Sequence, residues 1–180
     1  GVDSAASRIG SLVRAAVDGL VPGATTGLGV RRFVRAGDVV LIKPNVGFDR
    51  PPSLGAPAPP EIVRAVVRLC REAGAREILI TDNPIESPDA CFARSGLSRV
   101  AAEEGARIVL PAERDFRAAA AAYRTPTDRD RQSGPGGLPA AWPILFAPLA
   151  RAKKLIGIAP VKDHNLASAS ITLKNWYGLL

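Results

Sequence analysis

Gly37-Asp38-Val39-Val40-Leu41-Ile42-Lys43-Pro44-Asn45 is the stretch on which the reading of this chain turns. Val39 to Ile42 is a short, wholly apolar run rich in β-branched residues, the mark of a strand covered on both faces. Gly37-Asp38 is turn chemistry leading into it. Proline cannot continue a central ladder, so the chain is expected to leave the sheet at Lys43-Pro44-Asn45.

Working forward, Pro51, Pro52, Pro57, Pro59 and Pro60 make residues 48–60 a stiff, extended, exposed loop. Pro60 and Glu61 suit the first turn of a helix, where a missing N–H costs nothing and the dipole favours a carboxylate. Ile62, Val66, Leu69, Cys70 and Ala73 are its expected buried stripe, and Gly74 its stop. The pattern then repeats. Ile78 to Ile80 reads as a strand and Thr81-Asp82-Asn83-Pro84 as its exit. A helix over 89–104, capped by Ser87 or Asp89, ends at Gly105. Arg107 to Leu110 is a third strand stopped by Pro111. Working backward, Ile9, Leu12, Val13, Ala16, Val17 and Leu20 recur at helical spacing, which predicts a helix over 4–20.

The C-terminal half is less regular. The alanine-rich residues 118–122 read as a short helix, and Thr125 to Gly137 as a long aperiodic loop. Trp142 to Ala152 is expected to pack on the sheet, interrupted by Pro143 and Pro148. Lys154 to Ala159 is a fourth strand ended by Pro160. Val161 to Asn165 is turn-like, and Ile171 to Asn175 is a short strand or a helix start. The β-α-β-α-β rhythm with short links implies parallel strands and right-handed crossovers. The expected fold is one α/β domain over 1–180, a three-layer sandwich around a mostly parallel sheet of four to five strands.

Composition narrows the function classes. A chain of 180 residues with 47% apolar and 23% charged residues folds around a real core. No apolar run approaches the roughly 18 residues of a membrane span, and no signal-peptide pattern opens the chain. The compartment is left open, cytoplasmic or exported with a processed N-terminus. Residue 1 is glycine and methionine is absent, so a fragment or a short member of a longer architecture is expected. Two cysteines, Cys70 and Cys91, and one histidine, His164, make no complete iron–sulfur or zinc site. Cys91, near a helix start, can have a depressed pKa, but core packing is the plainer reading of both thiols. The net charge of +7 invites a nucleic-acid reading, but the arginines are scattered and no aromatics alternate with them. A small anionic ligand is the simpler use of local positive charge. Of 24 basic residues only Lys43, Lys153, Lys154, Lys162 and Lys174 are lysines, and four of the five fall after residue 150.

In an open parallel sheet, ligands bind beyond the carboxyl ends of the strands. The first strand ends in Lys43 and Asn45, the second in Asp82 and Asn83, the fourth in Lys162 and His164, and Lys174 and Asn175 follow closely. If the strands are parallel, these groups share one rim. Lys43, Asn45, Lys174 and Asn175 are the candidate ligand-binding residues; His164, Asp82 and Lys162 are the candidate catalytic ones. His164 would move protons, with Asp82 to orient it or hold a divalent cation. Crowded lysines depress one another's pKa, so one can serve as base or nucleophile. The plainer readings stand beside these: Lys43 covering the sheet end, Asp82 a turn residue, His164 and Lys174 simply solvated.

Val40 to Asn45 resembles the opening motif of domain-of-unknown-function family 362. The resemblance continues through Pro60-Glu61-Ile62-Val63, Glu72-Ala73-Gly74-Ala75, Ile80-Thr81-Asp82, the helix around Phe92 to Gly96 and Glu104-Gly105-Ala106. It closes on Pro160-Val161-Lys162-Asp163-His164, then Thr172-Leu173-Lys174-Asn175 and Gly178. It runs from about residue 8 to the end. The resemblance implies Lys43, Asn45, Asp82, Lys162, His164, Lys174 and Asn175 as the polar signature. Many members of that family carry a ferredoxin-like module with iron–sulfur cysteines, and some carry a twin-arginine export signal; neither is in this sequence. Three readings follow: an enzyme core acting on a small anion, a non-catalytic anion- or cofactor-binding module, and a docking scaffold for an iron–sulfur electron-transfer partner. Substrate, reaction, metal and oligomeric state are not legible.

Overall fold

A computed structural model describes residues 2–23, 28–120, 133–134, 138–139, 141–164 and 168–180. Helix α1 spans Val2–Gly19 and is followed by a 3-10 turn, Gly29–Arg32. Strand β1 (Val39–Pro44) leads through the proline-rich loop to α2 (Pro60–Glu72) and β2 (Glu77–Ile80). Helices α3 (Pro88–Arg94) and α4 (Leu97–Glu104) precede β3 (Arg107–Ile108). Then come β4 (Phe116–Ala120), the small ribbon β5 (Ser133–Gly134) and β6 (Leu138–Pro139), β7 (Ala141–Leu145) and α5 (Phe146–Arg151). Strands β8 (Lys154–Ile158), β9 (Lys162–His164) and β10 (Ser168–Ser170) lead to α6 (Thr172–Asn175) and a 3-10 turn, Trp176–Leu179.

The central sheet has the order β3-β2-β1-β8, and all of its pairings are parallel. β1 meets β2 from Val39↔Glu77 to Ile42↔Ile80, and β8 from Val40↔Lys154 to Pro44↔Ile158. The two crossovers from β1 to β3 run in one direction, so their helices fall on one face. There Val40, Ile42, Ile78 and Ile80 pack with Val63, Val67, Cys70, Phe92, Leu97 and Val100, and Val13 and Val17 of α1 join them. The chain then crosses the other face to reach β8. That face holds a smaller cluster of Val39, Leu41 and Leu79, covered in part by Leu149 of α5 and Ala152. The fold is an α/β sandwich with one thick and one thin helical layer.

Several expectations are corrected in detail. β1 does not stop before Lys43. In a parallel ladder a residue's N–H and C=O face the same neighbour, and the Ile42 carbonyl accepts from Thr81 at 3.1 Å on the β2 side. The missing N–H of Pro44 therefore faces the region beyond the end of β2, and no ladder bond is lost. The helix expected over 89–104 is two helices, broken where Gly96 takes a left-handed φ of 79°. Neither Ser87 nor Asp89 makes a side-chain cap bond to α3. Residues 118–120 are a strand, not a helix: β4 runs antiparallel to β7, from Phe116↔Leu145 to Ala120↔Ala141. Tertiary pairing has overridden alanine's helix propensity. Residues 121–122, most of the 125–137 loop and Asn165 lie outside the described residues. The third strand pairs only at Arg107 and Ile108. The stretch expected to turn at 161–165 instead opens an antiparallel hairpin, with His164↔Ser168 and Lys162↔Ser170. Residues 172–175 are helical. Leu69, Cys70 and Ala73 are buried as expected, but Val63, Ala65 and Val67 join them while Ile62 and Val66 are only half-buried, and Leu12 of α1 and Leu20 just after it are exposed.

Gly157, in the middle of β8, sits against the indole of Trp176. A Cβ there would stand 2.7 Å from Trp176 Cζ2. Gly157→Ala is expected to lower unfolding free energy by about 1–3 kcal/mol, the usual cost of overpacking. Gly47→Ala, where nothing lies within 4 Å, should change it by less than about 1 kcal/mol. Urea titration of both variants checks the pair; equal effects would contradict the packing.

Candidate functional site

The chain leaves β1 toward β2 and β3 and returns on the other side at β8. The boundary between β1 and β8 is therefore the topological switch point, where open sheets leave a crevice at their carboxyl ends. The chain's own segment 171–180 fills that crevice. The Asn175 side-chain amide donates to the carbonyl of Lys43 at 3.0 Å and lies 3.5 Å from that of Ile158, spanning the two strands. Asn45 N–H completes the β1–β8 junction by donating to Ile158 at 2.9 Å.

Period-two alternation puts Lys43 on the same face as Val39 and Leu41, the thinly covered one. Its side chain is 1% exposed by residue, and Asp82 is 2% exposed. Lys43 Nζ lies 2.6 Å from Asp82 Oδ1, and donates to Asn175 Oδ1 at 2.8 Å and to the Pro44 carbonyl at 2.9 Å. Three acceptors match the three N–H bonds of an ammonium. Asp82 is held in turn by backbone donors, Val46 N–H on Oδ2 at 2.7 Å and Asn83 N–H on Oδ1 at 2.9 Å. Burial pulls the Lys43 amine down and lifts the Asp82 carboxyl, and in each case the partner's opposite charge works against that shift. The backbone donors also favour the carboxylate. Gly178 closes the arrangement from above: a Cβ there would stand 2.1 Å from Asp82 Oδ1 and 2.9 Å from Lys43 Nζ. Asn83 ties the same segment down by donating to the carbonyls of Gly178 at 3.1 Å and Leu180 at 3.0 Å.

A second group lies at the more open side of the rim. Lys162, half-buried at the start of β9, donates to Asn45 Oδ1 at 2.8 Å and to the Ala56 carbonyl. Burial holds its amine below the ordinary lysine value, the charge of Lys174 adds to that, and Asp82 opposes it. His164 stands two residues further along the strand, on the same face as Lys162. Lys174 Nζ lies 5.9 Å from the centre of the Tyr177 ring. Lys43, Lys162 and Lys174 thus feel one another's charge around one carboxylate.

Five of the seven signature residues fall into two hydrogen-bonded sets, with His164 on the Lys162 strand face and Lys174 felt through its charge. The structure brings Lys43, Asp82 and Asn175 together in a sealed cluster, and Asn45 and Lys162 together beside it. Asp82 is expected from sequence to orient His164 or hold a cation. Its oxygens are engaged by Lys43 and two backbone N–H groups, with Lys43 as its counter-ion. Among the described residues no three His, Cys, Asp or Glu side chains gather as a metal site would require. Gly178 and the Ala56 carbonyl were not read as site elements. A glycine after a Lys-Asn pair, with no turn periodicity to explain it, was the available signal for the first; a backbone acceptor leaves none. An open hollow lined by Arg35, Asp38, Lys153 and Lys154 lies at the opposite, amino-terminal ends of β1 and β8. Burial raises both thiols, Cys70 to about 12. For Cys91, burial with Glu86 and Asp49 beside it leads, so the expected depression by the helix start is not seen.

A family model described as Domain of unknown function (DUF362) matches residues 40–180. The chain belongs to the DUF362 family. No curated protein and no solved structure matches it. The DUF362 match begins inside β1 and takes in the rest of the central sheet, the buried pair and the segment that seals it.

Two outcomes are expected for this DUF362 domain. Lys43→Met leaves the Asp82 carboxylate buried without its partner and should cost about 3–5 kcal/mol in urea unfolding. Lys43→Met/Asp82→Leu should recover most of that, and additive losses would contradict the coupling. For Lys162, the unfolded chain holds the proton more tightly than the folded one. Its contribution to stability therefore rises with pH, from the depressed folded value toward the ordinary ~10.4. The stability of wild type relative to Lys162→Met should increase as pH rises toward the ordinary lysine value of ~10.4; a difference that is flat or falls with pH would contradict the shift.

Proposed function

We propose that this domain is an enzyme core that binds a small carboxylate- or phosphate-bearing ligand at the open side of the strand-end rim. The observation that carries the reading is the surplus of cations there. Three lysines surround one carboxylate, and Lys43 already neutralises it. Lys162 and Lys174 are left with charge that a ligand anion can answer. Both hydrogen-bond partners of Lys162 Nζ are neutral, Asn45 Oδ1 and a backbone carbonyl. They aim the amine without discharging it. Lys43, Asp82 and Asn175 act as positioning residues that fix the β1–β8 junction and the 171–180 segment bearing Lys174. His164, on the Lys162 face of β9, is the proton carrier of the reading.

Calorimetric titration with inorganic phosphate and with malonate tests this. Saturable binding is expected, weakening with added salt. Lys162→Met and Lys174→Met should each weaken it about tenfold, the scale of one charge-assisted hydrogen bond. Lys153→Met, at the far end of the sheet, should leave it unchanged. No saturable binding at roughly 10 mM ligand, or binding insensitive to both rim variants, would overturn the reading.

A specific observation favours a second reading, a docking face. Val161 is 82% exposed, Leu173 87% and Tyr177 63%, all beside the rim. Such side chains suit a protein partner, the electron-transfer module of the third sequence reading among them. Loss of anion binding with retention of a partner that Leu173→Glu abolishes would favour it.

A further inference from the structure

Two lysines at this rim face different acceptor sets. Lys43 Nζ faces three acceptors, one of them a carboxylate, which uses every N–H of an ammonium. Lys162 Nζ faces two acceptors, both uncharged. Once the ammonium gives up its third proton, two N–H bonds remain, and these two acceptors can take both. The remaining tetrahedral direction then carries the lone pair, turned toward neither acceptor. The Asn45 and Ala56 bonds fix that direction, because they arrive from the β1 end and from the proline-rich loop. Lys174 supplies positive charge nearby, and His164 shares the strand face. An amine so fixed, without a carboxylate partner and beside a second cation, has the setting of an amine nucleophile.

We propose that Lys162 is a nucleophile toward carbonyl groups, and that the ligand class of this site is a small oxo acid, an aldehyde or ketone that also bears a carboxylate. The carboxylate part rests on the anion-binding reading above, with Lys174 as its partner. In the step, the Lys162 lone pair forms a C–N bond to the carbonyl carbon while the carbonyl π pair moves to oxygen. Both amine protons leave with that oxygen as water, and an imine remains. Nothing is oxidised or reduced. His164, on the same strand face, is placed to pass protons between nitrogen and the departing oxygen. Burial and the Lys174 charge hold the amine below its ordinary pKa, so the nucleophilic form is populated at lower pH than for a solvated lysine.

The test is reductive trapping on the intact protein. Glyoxylate with sodium cyanoborohydride fixes any imine as a stable secondary amine, and peptide mapping by mass spectrometry locates it among the five lysines. At pH 7.5 labelling of Lys162 should run at least about tenfold faster than labelling of Lys153 and Lys154, which serve as internal standards for ordinary amines. Propionaldehyde, which lacks the carboxylate, should lose most of that preference, and Lys174→Met should lose it too. Labelling spread evenly over the exposed lysines, or concentrated on Lys174, would overturn the proposal. Phosphate calorimetry on the same preparation separates the two claims. Saturable anion binding without selective trapping removes the nucleophile and leaves the anion site. Absence of both removes the anion site as well. Selective trapping that is indifferent to the carboxylate keeps the nucleophile and overturns the oxo-acid class.

Discussion

The ion pair between Lys43 and Asp82 is the constraint around which the carboxyl end of the sheet is arranged. Two charges at 2.6 Å with almost no solvent access are tolerable only if every remaining polar direction is filled. The chain meets that condition with parts drawn from far apart. Pro44 and Val46 come from the exit of β1, Asn83 from the exit of β2, and Asn175 and Gly178 from the segment closing over both. A pair of this kind adds little net stability against an apolar substitute, but losing one partner is severe. Its effect is to specify one arrangement, in which the switch-point crevice is closed by the chain itself and the more open polar groups of the rim lie toward β9.

The division of labour between arginine and lysine follows the same logic. Arginines make the ion pairs of the helical layer and the sheet border, Arg14 with Glu72, Arg64 and Arg68 with Glu104, and Arg151 with Glu77. These forked contacts suit a guanidinium that never loses its charge. Two lysines stand instead at strand ends among convergent acceptors. Lys43 faces three acceptors, one of them a carboxylate, and Lys162 two neutral ones, although both come from strand-end positions in sequence.

The fold was legible where a pattern has one physical solution. Val39 to Ile42, Ile78 to Ile80 and Lys154 to Ile158 are apolar, β-branched runs with proline or polar exits, and each is a parallel strand. Their ends meet at one rim because parallel strands place like ends together. The site was legible as a set of residues and not as a set of pairs. Sequence alone gives no means of knowing that Lys43 pairs with Asp82, since that depends on how segment 171–180 folds back. Alanines 118–120 went astray for a related reason: their strand exists only through pairing with Ala141 to Pro143. Gly96 was visible and its left-handed turn was not, because a single glycine inside a helical period is ambiguous until its neighbours are placed.

The contrast between the two lysines is the claim on which this account rests, and nitrogen-15 NMR of the lysine side chains tests it most directly. At neutral pH, Lys43 should give a three-proton ammonium signal in slow exchange with water, correlated with the Asp82 carboxylate. Lys162 should titrate below the ordinary lysine range of about 10.4. Five side-chain nitrogens in fast exchange with one common, unshifted titration would contradict both the sealed pair and the half-buried amine.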